Sequence, residues 1–176
     1  MPLSKCVAGL GLVLGLLPTS AFADFWTDNE CTLAEPQPVF KNGKFRLDRE
    51  KGIAYESIAL NKSIMLQLEQ TACASVSHTY TFMLKERPTN TNIVGWEYGK
   101  ALELLSLLEA RSDPRLRFTA EKKALSSYAQ LVLEPKQDVD INIRKPHDQF
   151  YELISIASQI HQDTTKIIVK VSSGPY

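Results

Sequence analysis

Between Val39 and Leu84 apolar and polar residues alternate with a period of two, in short runs separated by turn-forming residues. A period of two belongs to half-buried strands, so this stretch commits the chain to a short-looped antiparallel sheet with one dry face. Pro38-Val39-Phe40-Lys41 and Lys44-Phe45-Arg46-Leu47 flank Asn42-Gly43. That dipeptide tolerates positive φ at both central positions of a type I′ turn, which predicts a two-residue hairpin. The polar turn Asp48 to Gly52 leads into a strand from Ile53 to Leu60, and Asn61-Lys62 turns again. Ser63 to Gln70 sets Ile64, Leu66 and Leu68 against Met65, Gln67 and Glu69. After a loop holding Cys73, Ser77 to Lys85 sets His78, Tyr80, Phe82 and Leu84 against Thr79, Thr81, Met83 and Lys85. The expected product is an antiparallel β meander.

Past Asn92, a plausible N-cap, the period becomes helical. Ile93, Trp96, Ala101, Leu104, Leu105 and Leu108 form the apolar stripe, and Glu97, Lys100, Glu103 and Glu109 the wet face. Gly95 and Gly99 weaken the first turns, so the leucine-rich half is the firmer helix. Ser112-Asp113-Pro114 breaks it and offers a cap and a first-position proline for a second helix. In that helix Leu116, Ala120, Ala124, Tyr128 and Leu131 recur at helical spacing until Pro135. Packed antiparallel, the two make a helix pair. Val139, Ile141 and Ile143 then alternate with Asp138, Asp140 and Asn142 as a strand. Asp148 to His161 fits either period, but its β-branched content and the strand Lys166 to Val171 beyond Gln162-Asp163-Thr164 favour a hairpin over a helix. The reading is a single disulfide-linked α+β domain: antiparallel β meander, helix pair, then C-terminal strands joining the same sheet or facing it. The tail Ser172 to Tyr176 is expected to be exposed.

Residues 1–23 read as a signal peptide. Lys5 is the positive n-region, Cys6 to Leu17 an apolar core shorter than the roughly 20 residues that span a bilayer, and Ala21-Phe22-Ala23 the cleavage pattern. Cleavage near Ala23 leaves an exported domain, residues 24–176, in the periplasm or secreted, with no transmembrane segment and no lipoprotein context at either Cys6 or Cys31. Cys31 and Cys73 then remain in an oxidising compartment, and the simplest arithmetic pairs them. Closing a loop of about 40 residues contributes roughly 4 kcal/mol in the chain-entropy model. A reactive thiol is disfavoured, because neither a Cys-x-x-Cys spacing nor an adjacent base lowers a thiol pKa.

Removal of Lys5 with the leader leaves 19 basic against 20 acidic residues. Near-neutrality argues against a nucleic-acid partner. His78, His147 and His161 lack ligand spacing, so no metal is expected, and no motif implies a cofactor. No Gly-x-Ser-x-Gly elbow occurs, and no catalytic residue is assigned. Arg111, Arg115, Arg117, Lys122 and Lys123 gather around the helix junction, as a patch for an acidic partner or envelope polymer, or as a solvated helix surface. The tip Ser173-Gly174-Pro175-Tyr176 resembles, over four residues only, the loop motif of bacterial periplasmic lysozyme inhibitors; no role is taken from it, and Tyr176 joins the candidate partner-binding residues. The functional expectation is a non-catalytic binding protein, such as an inhibitor, an immunity-type protein or an envelope-assembly factor, whose partner is an envelope or exported protein. The alternative is a small periplasmic hydrolase for cell-wall or peptide substrates, using a histidine and a carboxylate brought together by the fold. A small-ligand pocket would draw on Trp26, Trp96 and Tyr98.

Overall fold

The computed structural model describes residues 25–85, 89, 93–111, 116–144 and 149–175. The strands β1 (Lys44–Asp48), β2 (Ile53–Ala59), β3 (Ile64–Ala72), β4 (Val76–Leu84), β5 (Ile141–Asn142), β6 (Phe150–His161) and β7 (Thr164–Pro175) form one seven-stranded sheet in the order β1-β2-β3-β4-β7-β6-β5. Every pairing is antiparallel. The alternation read from the sequence matches the burial: Ile64, Leu66 and Leu68 are buried while Gln67 and Glu69 are exposed. Tyr80, Phe82 and Leu84 share the dry face with Ile154, Ile156, Ile167 and Val169.

Helices α2 (Trp96–Arg111) and α3 (Thr119–Leu131) cover that face over β5, β6 and β7. They run antiparallel: Glu109 near the end of α2 accepts the Phe118 N–H just before α3, and Tyr98 in the first turn of α2 donates to the Lys136 carbonyl beyond α3. Leu104, Leu105 and Leu108 pack on Phe82 and the β6–β7 isoleucines in one core. The β1–β3 side of the same face is covered by the N-terminal arm. Its short helix α1 (Phe25–Asp28) buries Trp26, whose indole N–H donates to the Ala72 carbonyl at 2.6 Å. The Cys31–Cys73 disulfide holds the arm at the β3–β4 turn, where the Leu33 N–H and the Thr32 hydroxyl donate to the Cys73 carbonyl. Further along, Pro36 and Phe40 are buried over the sheet.

Several local expectations give way to tertiary contacts. The Asn42-Gly43 hairpin does not form: residues 39–41 are not a strand, and neither Asn42 nor Gly43 has positive φ. Instead the buried Glu56 carboxylate accepts the N–H groups of Val39 (2.8 Å) and Phe40 (2.9 Å), which removes them from any ladder. β1 pairs with β2 through the next turn, where Gly52 adopts φ 65°. Glu97, expected on the wet face, is buried, in the turn over which the segment after α3 folds back. Helix α3 starts at Thr119 because Phe118 is buried edge-on against Tyr80, centroids 5.4 Å apart, and its N–H is taken by Glu109. Its buried residue is Leu125, and Leu131 is exposed. Ile93 lies before α2 and is exposed as well. The 138–143 strand shrinks to two residues. Asp138, at φ 57°, donates its N–H to the Ile156 carbonyl, and Gln137 clasps Ser158, so side chains and turns finish this edge of the sheet. The tail is not free: β7 runs on to Pro175 opposite Phe150, and Gly174 is buried. The signal peptide, the Asn92 cap and the Ser112-Asp113-Pro114 break lie outside the described residues.

Candidate functional site

Helices and arm share one face of the sheet, and no described element packs on the other. Register places its side chains in cross-strand rows. One row runs Arg46, Tyr55, Glu69, Thr79, Lys170 and Ser155; the next runs Lys44, Ser57, Gln67, Thr81, Ile168 and Ala157. Between β1 and β4 these rows line a depression of about 330 Å3, walled by Lys44, Arg46, Tyr55, Ser57, Gln67, Glu69, Thr79 and Thr81. The Arg46 guanidinium lies over the Tyr55 ring, 4.9 Å from its centroid, which restricts its motion without using its N–H donors. Lys44, Lys166 and Lys170 are exposed. None of these cations, Arg46 included, makes an ion pair among the described residues.

The residues singled out from sequence are only partly brought together. Cys31 and Cys73 are bonded. Arg111 ends α2 exposed, and Arg117 is exposed with its guanidinium donating to the Leu116 carbonyl. Lys122 is occupied: its ammonium lies 2.5 Å from Glu109, and this hydrogen bond, followed by that from the Phe118 N–H, holds the Glu109 carboxyl below the usual carboxylate range. Lys123 faces the groove between α3 and Ile141–Arg144. Arg115 and Tyr176 lie outside the described residues.

His78 stands edge-on to Tyr80 with centroids 6.2 Å apart, and burial lowers its pKa from the usual histidine value. His161 is exposed beside the β6–β7 turn, and His147 lies outside the described residues. Neither described histidine hydrogen-bonds a carboxylate. Among the described residues no group of three or more His, Cys, Asp or Glu side chains could hold a metal ion, and no helix is long and apolar enough to cross a membrane. The three aromatic candidates serve the core: Trp26 is buried, Trp96 packs against the core, and Tyr98 is buried 5.5 Å from Tyr128. Burial, then the neighbouring Tyr128, Glu97 and Asp138, push the Tyr98 phenol up to about 12.

Local alternation turns the wet positions of the meander to solvent and carries no information on which of them stand together. The polar half of each alternation was legible, but Arg46, Tyr55, Glu69, Thr79 and Lys170 become one row only through a register spanning five strands. No protein-family model, curated protein or solved structure matches the chain.

Proposed function

We propose that this is an exported, non-catalytic protein that binds another macromolecule through the open face of its sheet. The observation that carries the reading is the division of labour between the faces: two independent coverings, a helix pair and a stapled arm, are spent on one side. The other side keeps cations that make no ion pair among the described residues, placed on either side of a polar depression. The hydrolase alternative wants a histidine within hydrogen-bond reach of a carboxylate, and His78 is turned onto Tyr80 instead.

Affinity capture from native envelope extract tests the reading, with the disulfide-bonded protein as bait. A component retained in stoichiometric amount should be lost with Lys166→Glu/Lys170→Glu, and kept with Lys123→Glu on α3. Surface changes of this kind leave stability within about 0.5 kcal/mol, so the loss would report contact. Retention indifferent to the sheet pair, or no retention above an unrelated exported control, would contradict it.

A further inference from the structure

Building on the open-face reading, we infer that the macromolecule is an acidic polysaccharide, and that the depression between β1 and β4 seats one of its carboxylate-bearing sugar units. Charge is the first argument. The open face carries Lys44, Arg46, Lys166 and Lys170 against Glu69 and Asp48, and Asp48 already faces Lys51 at 3.7 Å. The surplus is positive although the chain as a whole is neutral. The cations stand on β1 and β7, four strand spacings apart, about 19 Å. A flexible polyanion crossing the strands meets cations, then a floor of hydroxyls, the Gln67 amide and the single Glu69 carboxylate, then cations again.

The chemistry of the floor is the second argument. Cores of protein interfaces are rich in aromatic residues, methionine and arginine and poor in lysine, glutamate and serine. This depression has Tyr55 and Arg46 of the first set, but Lys44, Ser57 and Glu69 of the second, and Gln67, Thr79 and Thr81 complete its walls. Leu68 borders it but is 1% exposed, so the side chains it offers a ligand are donors and acceptors plus one tyrosine. Ser57, Gln67, Thr79 and Glu69 suit a ligand that presents hydroxyls in every direction. Arg46 supplies what a neutral sugar would not need: a planar fork matched to a carboxylate, steadied by Tyr55 and with no hydrogen bond of its own among the described residues. A volume of about 330 Å3 lies at the small end of ligand pockets, roughly 300–1,000 Å3. The depression opens along the sheet, so a unit within a longer chain can occupy it.

Amide chemical-shift titration of the disulfide-bonded protein separates the possibilities, with tetragalacturonate, neutral cellotetraose and tetraglutamate as probes. Tetragalacturonate should move the amides of Arg46, Tyr55, Gln67 and Thr79 and saturate, with cellotetraose at least tenfold weaker. Arg46→Gln should weaken tetragalacturonate at least tenfold, and Lys136→Gln, at an exposed position beyond α3, should leave it unchanged. An equal response to tetraglutamate at the same amides overturns the sugar assignment while leaving a cationic docking face in place. Absence of any shift on the sheet overturns the inference too, and the capture experiment with the Lys166/Lys170 pair then decides the open-face reading separately.

Discussion

Glu56 is 1% exposed and holds two backbone N–H groups of the arm. A buried donor left without a partner costs about 1–3 kcal/mol, so Glu56→Ala is expected to destabilise the protein by about 3 kcal/mol in urea unfolding. Gly43 belongs to the same device. A Cβ there would lie 2.9 Å from Glu56 Cγ and 3.0 Å from Cδ, so the glycine is needed for space, not for its φ. Gly43→Ala should cost about 1–3 kcal/mol, as overpacking does, and most of that cost should vanish in the Glu56→Ala background; strict additivity would contradict the coupling. His78 makes a pH prediction. Its neutral ring is favoured by burial in the folded state, whereas the unfolded chain takes up a proton near about 6.5. Below that pH the unfolded state binds more protons, so stability falls as pH falls from about 6.5 through the lowered folded pKa, and levels off below it. His78→Phe should flatten this part of the profile. Urea midpoints at pH 7.5, 6.5 and 5.5 for both proteins check it, and parallel profiles would refute it.

At the scale of elements, what a segment becomes depends on how much of its stabilisation is local. The paired strands carry their own alternation and form where the pattern says. The arm has almost no regular structure and is held by Trp26, Glu35–Arg49, Glu56 and the disulfide, partners 14 to 46 residues away in sequence. Its bridge separates residues 42 apart, which in the chain-entropy model contributes about 4 kcal/mol. Cys31→Ser/Cys73→Ser should lose about that much stability, and hydrogen exchange should quicken first in the arm, at the Leu33 and Phe40 amides. Uniform acceleration across the sheet, with the arm no faster than β3, would mean that the bridge does not hold the arm. Helix α3 shows the same dependence, because its start is set by Phe118 docking on Tyr80 and by Glu109, with no capping side chain of its own.

For the molecule as a whole, one core is enclosed between a sheet and two different coverings, and the uncovered face follows from that arithmetic: one helix pair and one arm can blanket one side. The strands at Ile53, Ile64, Ser77 and Lys166, the helix pair, the final hairpin and the Cys31–Cys73 bond were all legible in the sequence. They rest on local periodicity, on the β-branched content that favours the final hairpin, or on the pairing of the two cysteines that lie beyond residues 1–23. The Asn42-Gly43 turn does not form as a hairpin, since a local turn preference of this size loses to two backbone hydrogen bonds accepted by a buried carboxylate that β2 brings in. The tail was misread because its pairing lies across β6, and the candidate face was missed because residues from Arg46 to Lys170 become neighbours only in register. The amino-acid sequence determined by itself which residues turn inward and which stay wet, because the transfer of side chains from water is a property of each residue and its period. The tertiary structure alone decided which wet residues stand together and which backbone donors a buried acid captures, because those depend on distances between segments that no local pattern encodes.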